Sequence, residues 1–178
     1  MILTDREILE EIDAGSIVIE PFNRDDLGSN SYDVHLGSKL AVYTCETLDA
    51  KASNPIKYME IPEEGFILQP GELYLGVTQE YTETMKHVPF LEGKSSTGRL
   101  GIVIHATAGK GDVGFQGTWT LEISCLKPVR VYAGMPIGQL IYFTVSSTPL
   151  TPYNRKQNAK YNGQGAEPVE SKMYRNNF

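Results

Sequence analysis

A mainly β protein is what this sequence predicts, and three observations carry that expectation. Short β-branched and aromatic runs recur along most of the chain, separated by glycine, proline and asparagine. No helical stretches alternate with them, which disfavours a parallel α/β sheet. The strongest run, Thr118–Ser124, alternates cleanly. Trp119, Leu121 and Ile123 fall on one face, and Thr118, Thr120, Glu122 and Ser124 on the other. The expectation is a sandwich or barrel of short strands, with one helix before it and a polar tail after it.

In chain order, Thr4-Asp5-Arg6-Glu7 is a capping box, with Ile8, Leu9 and Ile12 at helical spacing behind it and Gly15 as the stop. Ile17–Ile19 is a short strand and Asn23–Asn30 a polar loop. Ser31–Leu36 alternates and ends at Gly37; Leu40–Tyr43 is the next strand. Thr47–Pro55 is an exposed loop. Ile56–Ile61, Phe66–Leu68 and Leu73–Thr78 are β, with a turn at Gln69–Glu72. Tyr81–Lys86 reads as a turn or a single helical turn, since propensity does not decide it. Val88–Leu91 is β, and Leu100–Ala106 is apolar and β-branched, again a strand. Val129–Tyr132 and Met135–Val145 flank an Ala133-Gly134 turn and read as a hairpin, with Pro136 at an edge or bulge. No repeat of fixed period is present.

The chain has 178 residues, enough for one domain with a real core. Residues 1–150 form that domain. From Ser146 the sequence turns polar and proline-rich, so 151–178 is a tail without regular structure. Tyr153, Arg155, Lys156, Lys160 and Tyr161 nonetheless gather aromatic and cationic groups there. Such a tail suits closure over a phosphate-bearing ligand, ordering when that ligand binds.

The formal net charge of −6 disfavours nonspecific binding to nucleic acid or to an anionic membrane. Cys45 and Cys125 form no CxxC pair and are expected as free thiols. The first nine residues lack a signal-peptide core, and no apolar run nears the ~20 residues that span a bilayer. A soluble, cytoplasmic protein is expected.

The chemistry concentrates between Gly93 and Glu122. Lys94, Ser95, Ser96 and Arg99 make a small cationic cluster suited to phosphate, Asp112 sits in a glycine-rich turn, and Glu122 stands on a polar strand face. Gly93-Lys94-Ser95 is not a P-loop, because Val88 stands where that motif needs its first glycine. Alone, each of these features is equally at home on an ordinary solvated surface.

In order, Ser31–Gly37, Gly93–Arg99, His105–Gly109, Asp112–Phe115, Thr120–Glu122, Pro152–Asn154 and Ala159–Tyr161 resemble the motifs of the dCTP deaminases, within the dUTPase-like superfamily. The resemblance runs nearly end to end. It implies a dUTPase-like distorted β-barrel or jelly roll and a homotrimer with sites between subunits. It implies dCTP and dUTP as ligands, with dTTP as an inhibitor, and Mg²⁺ carried on the triphosphate rather than by the protein.

By resemblance, Glu122 is the general acid/base, with Ser95 and the backbone near Ala108 holding the attacking water. Arg99 sits at the reacting centre, and the pairing of Glu122 with Arg99 is expected. The backbone of Thr120, Leu121 and Glu122 reads the pyrimidine edge. Lys94, Ser96, Tyr153, Lys160 and Gln164 hold the triphosphate or close over it, with Thr97 and Gly98 in the same cradle, and Asp112 contacts sugar and base. No zinc is expected. The HxE…PCxxC ligand set of zinc deaminases is missing, and His35, His87 and His105 have no ligand spacing. His105 reads as a packed polar residue, and Phe115 and Trp119 as core.

Two departures bear on the product. Gly109 and Gln139 resemble the bifunctional branch, which converts dCTP to dUMP, diphosphate and ammonia. Lys110-Gly111 departs from the pattern usual before the aspartate. On that departure the sequence reading prefers dUTP and ammonia as products, with dUMP formation as the alternative and a non-catalytic nucleotide-binding trimer as a rival of another class. The glycine-rich closing tail of true dUTPases is absent, which disfavours dUTPase activity alone.

Overall fold

The computed structural model describes all residues 1–178. Helix α1 (Asp5–Asp13) opens the chain. Its start is the capping box: the Glu7 carboxylate accepts from the Thr4 backbone N–H at 2.8 Å and from the Thr4 hydroxyl at 3.0 Å. Ile8, on the inner face, is fully buried. Thirteen strands follow: β1 (Ile17–Glu20), β2 (Tyr32–His35), β3 (Lys39–Tyr43), β4 (Ile56–Glu60), β5 (Phe66–Leu68), β6 (Tyr74–Val77), β7 (Tyr81–Thr84), β8 (His87–Gly93), β9 (Ile102–Val103), β10 (Gln116–Gly117), β11 (Thr120–Cys125), β12 (Val129–Val131) and β13 (Pro136–Thr144). A five-residue helix, α2 (Ser95–Arg99), lies between β8 and β9.

Every strand pairing is antiparallel, and the strands fall into four sheets rather than one closed barrel. Their orders are β1-β7-β10, β4-β3-β6-β11-β9, β12-β5 and β2-β13-β8. The short N-terminal helix and mainly β body match the expectation. One apolar cluster of 23 buried residues joins the sheets, so 1–144 share a single core. Leu121 and Ile123 of β11 are fully buried in it, each worth about 1.5–3 kcal/mol.

Three expectations need correction. Tyr81–Thr84 is strand β7, not a turn; it pairs with β1 and β10, and Thr82 and Thr84 face inward. The hairpin expected over Val129–Val145 does not form. β12 pairs with β5, while β13 lies between β2 and β8. A turn at Tyr132–Met135 sends the chain from one sheet to another, and the register shift at Pro136–Gly138 is the expected bulge. The strand expected over Leu100–Ala106 shortens to Ile102–Val103: a turn after α2 occupies Leu100 and Gly101, and only Ile102 and Val103 pair with β11.

The tail contains two 3₁₀ turns, at Tyr153–Arg155 and Met173–Arg175, and is otherwise irregular. It is fastened by hydrogen bonds to the body. Tyr153 N–H donates to Val113 O (2.8 Å), Gly163 N–H to Gln116 O (2.7 Å), and Thr118 N–H donates back to Gln164 O (3.1 Å). Gly117 permits this, since a Cβ there would lie 2.8 Å from the Gln164 nitrogen, and its φ of +140° is open to glycine.

Candidate functional site

β11 supplies the centre of the site. Its alternation buries Leu121, Ile123 and Cys125 and leaves Thr120, Glu122 and Ser124 half-buried on the opposite face. Trp119 O accepts from Thr78 N–H, which fixes Trp119, Leu121 and Ile123 as the residues bonded to β6. Thr120 and Glu122 therefore turn their N–H and C=O groups to the other edge. The tail covers that edge at Thr118, and β9 covers it only from Ser124 onward. Between them lies a short stretch of main-chain donors and acceptors suited to a flat polar ligand. The side chain of Leu121 is core; only its backbone can take part.

A cavity of about 540 Å³ opens beside this edge. It gathers Ala108, Asp112, Thr120, Glu122, Tyr153 and Gln164 from among the expected residues. Phe115 and Trp119 also line it, with ring centroids 4.5 Å apart, so the core residues of the sequence reading double as an aromatic wall. Tyr161, noted in the aromatic and cationic cluster of the tail, lines it too, and so do Tyr43, Leu48, Leu73, Val169 and Glu170, which sequence reasoning missed. The missed residues come from β3, two loops and the tail, with no shared motif.

Burial pushes the Glu122 carboxyl above the ordinary glutamate range, and the nearby His105 partly offsets this. A carboxylate held this way is a better base than a solvated one. His105 lies 3.8 Å from Glu92 and packs over Gly109. For Asp112, burial favours the neutral acid. The hydrogen bond from Lys110 (2.7 Å) and the charges of Lys110 and Lys156 (3.5 Å) outweigh it and hold the carboxyl below its usual value. The Lys110-Gly111 departure has a use here: Lys110 orients Asp112, and a Cβ on Gly111 would lie 2.6 Å from the Trp119 ring.

The cationic cluster is elsewhere. Lys94, Ser95, Ser96, Thr97, Gly98, Arg99 and Gln139 do not line the cavity. Lys94 is ion-paired to Asp33 of β2. Thr97 is buried and bonds the Lys94 N–H and C=O, which makes it a fastener of the loop. Gln139 sits opposite Asp33 and Glu92 and donates to Gly93 O at 3.2 Å. Ser95, Ser96 and Arg99 are exposed. The expected pairing of Glu122 with Arg99 is thus absent within one chain: only burial and His105 act on Glu122. Gln164 also departs from its expected place. It bonds Thr120 on the floor of the cavity, away from the cationic cluster. Lys160 is outside the cavity and donates to Asn176 at 2.5 Å.

Residues 2–145 match a family model described as dCTP deaminase-like. A Clostridium beijerinckii protein named "dCTP deaminase, dUMP-forming" is 48% identical over 176 residues, covering 98% of each chain. A Leptospira biflexa protein of the same name is 49% identical over 169 residues, 94% of each. Among solved structures, the 2'-deoxycytidine 5'-triphosphate deaminase of Agrobacterium tumefaciens shares the fold, with a TM-score of 0.64 at 23% identity. That match covers 81% of this chain and 48% of the Agrobacterium chain, so this chain spans about half of its length.

Proposed function

Since the chain belongs to the dCTP deaminase-like family, we propose that it converts dCTP to dUMP, with release of ammonia and diphosphate. The name shared by the relatives at 48–49% identity carries this reading. It reverses the preference for dUTP as product drawn from Lys110-Gly111: that pair tunes Asp112 and accommodates Trp119, and so says nothing about which product leaves. Incubating the protein with dCTP and resolving dUTP, dUMP, diphosphate and ammonia tests it. Stoichiometric dUMP and diphosphate support the reading, dUTP alone restores the simpler deaminase, and no turnover leaves the non-catalytic binder.

In the first step Glu122 takes a proton from water, and the hydroxide adds to C4 of cytosine. The proton is returned to N3 of the tetrahedral adduct, Glu122 carries the proton of the new hydroxyl to the amino group, ammonia leaves, and the C4 carbonyl of uracil forms. In the second step water attacks the α-phosphorus, the bond to the bridging oxygen of the diphosphate breaks, and dUMP remains. The unpaired backbone edge at Thr120–Glu122 suits the pyrimidine, and the Phe115–Trp119 wall suits the sugar and base. Ser95 and the backbone of Ala108 hold water in this reading, with Arg99 at the reacting centre. Lys94, Ser96, Tyr153 and Lys160 take the triphosphate.

That division of labour asks for a second copy of the chain. The cavity with Glu122 and the face with Ser95 and Arg99 are separate in one protomer, and a homotrimer joining one to the other would complete each site. The exposed Leu100, Val103 and Leu126, beside α2 and β9, give such an interface apolar area. Deamination is proposed to need no zinc, on the missing ligand spacing. Mg²⁺ would ride on the phosphate oxygens and neutralise them there. The donor set fits this, since Asp33 and Asp112 are already paired with lysines and offer no free carboxylate. A cytoplasmic location follows from the nucleotide substrate; no helix is long and apolar enough to cross a membrane.

A further inference from the structure

Thr120 precedes Glu122 by two residues on the same face of β11, about 7 Å away along the strand. Its hydroxyl oxygen receives two hydrogen bonds from the tail, from Gln164 Nε2 at 2.6 Å and from the Val169 backbone N–H at 3.1 Å. A threonine hydroxyl has two lone pairs and one proton. Both lone pairs are taken, and only the proton remains to be given. Gln164 is 8% exposed, and its side chain bonds nothing but Thr120. Both residues line the cavity with Glu122.

Resting on the reading of this cavity as a dCTP pocket, we infer that the Thr120–Gln164 pair faces N3 of the pyrimidine and reverses its hydrogen-bond sense as the base is deaminated. N3 of cytosine is an acceptor. N3 of uracil carries a proton and is a donor, whereas O2 accepts in both. A backbone N–H on the β11 edge serves O2 before and after the reaction, but N3 needs a partner that changes.

A carboxamide is that partner. Its terminal torsion is soft, and its two ends are the same size. As arranged, Gln164 donates an N–H to Thr120 and leaves its C=O free, the complement of uracil N3–H. Turned by 180°, it accepts the Thr120 proton and offers NH₂ to cytosine N3. A hydroxyl serves both arrangements because it accepts in one and donates in the other, and the Val169 N–H anchors it throughout. The pocket then keeps the uracil intermediate while diphosphate is removed. Gln164 is a specificity-determining residue of the base site, and Thr120 is its positioning residue.

Dissociation constants of four nucleotides test this on the full chain carrying Glu122→Gln, which blocks deamination: dCTP, dUTP and their 3-deaza counterparts, in which a C–H replaces N3. Expected is weaker binding by about tenfold for 3-deaza-dCTP against dCTP, and likewise for 3-deaza-dUTP against dUTP. Adding Gln164→Met, similar in size, should erase both differences. Thr120→Val should erase both as well, and Thr120→Ser, which keeps the hydroxyl, should retain them. If only one base shows the difference, the amide is fixed and the reversal is wrong. If Gln164→Met keeps both differences, N3 is read elsewhere and the pair is structural. Binding of none of the four overturns the functional reading itself, whereas binding without these differences overturns the role of the pair alone.

Discussion

Replacing Gly109 probes the link between the shape of the site and its second reaction. Gly109 is buried, and its φ is not in the left-handed region, so space rather than torsion demands glycine here. A Cβ would fall 2.8 Å from His105 Nε2 and 2.9 Å from its Cε1, and would press on the Leu91 carbonyl oxygen. The loop cannot simply withdraw, because Leu91 N–H donates to Gly109 O at 2.7 Å. Overpacking of this kind costs about 1–3 kcal/mol, which in a chain of this size lowers Tm by roughly 2–12 °C. Relief comes by moving His105, whose charge acts on Glu122. Gly109→Ala should therefore lower Tm within that window, and Gly109→His should lower it further. Both should cut diphosphate release from dCTP more than ammonia release, as dUTP escapes before its second reaction. Scanning calorimetry and product chromatography check the two halves. An unchanged Tm would show that the space is not needed, and parallel loss of both products would refute a specific tie to the second step.

Further outcomes follow from the same geometry. Glu122→Gln should bind dCTP yet release no ammonia, and the acid limb of the wild-type rate profile should lie above the ordinary glutamate range. Because burial raises the folded-state value, the ionised carboxylate costs stability as pH rises through it; Glu122→Gln should melt higher than wild type at neutral pH, with the gap closing below the unfolded glutamate value. Mixing inactive Arg99→Ala with inactive Glu122→Gln should restore part of the activity if sites form between subunits, and no recovery after subunit exchange would place both residues in one chain's site. Deleting residues 151–178 should leave strands through Thr144 folded and raise the KM for dCTP; a chain that no longer folds would make the tail part of the core. Activity should survive chelators that strip zinc once Mg²⁺ is restored, and rescue by zinc alone would overturn the proposed chemistry.

The elements that were legible in the sequence are those set by local periodicity. The capping box of α1 and the alternation of β11 lie within a few residues, and each appears where the pattern puts it. β7 was not legible: Tyr-Thr-Glu-Thr suits a strand or a turn, and its pairing with β1 and β10 across the chain decides the matter. The false hairpin at Val129–Val145 has the same origin, since a turn signal shows that the chain reverses but not which strand it then joins. The candidate residues were legible as motifs, while the separation of Glu122 from the Ser95–Arg99 cluster was implied only by the resemblance, with its sites between subunits, because spacing along a chain carries no distance across it. The seating of the tail was hidden for another reason. Much of its attachment runs through backbone groups of Tyr153, Gly163 and Gln164, which any sequence possesses.

If Lys94 takes the triphosphate as proposed, its ion pair with Asp33 sets a charge threshold on what the cationic face will accept. A ligand that reaches Lys94 must displace a carboxylate already in place, so its gain is the difference between two anions rather than the attraction of one. A triphosphate, with several negative charges, wins that exchange readily. A monophosphate wins it by far less, and Asp33 recaptures the ammonium. In the proposed reaction the last product is a monophosphate, and this internal competitor favours its departure, clearing the site for the next triphosphate.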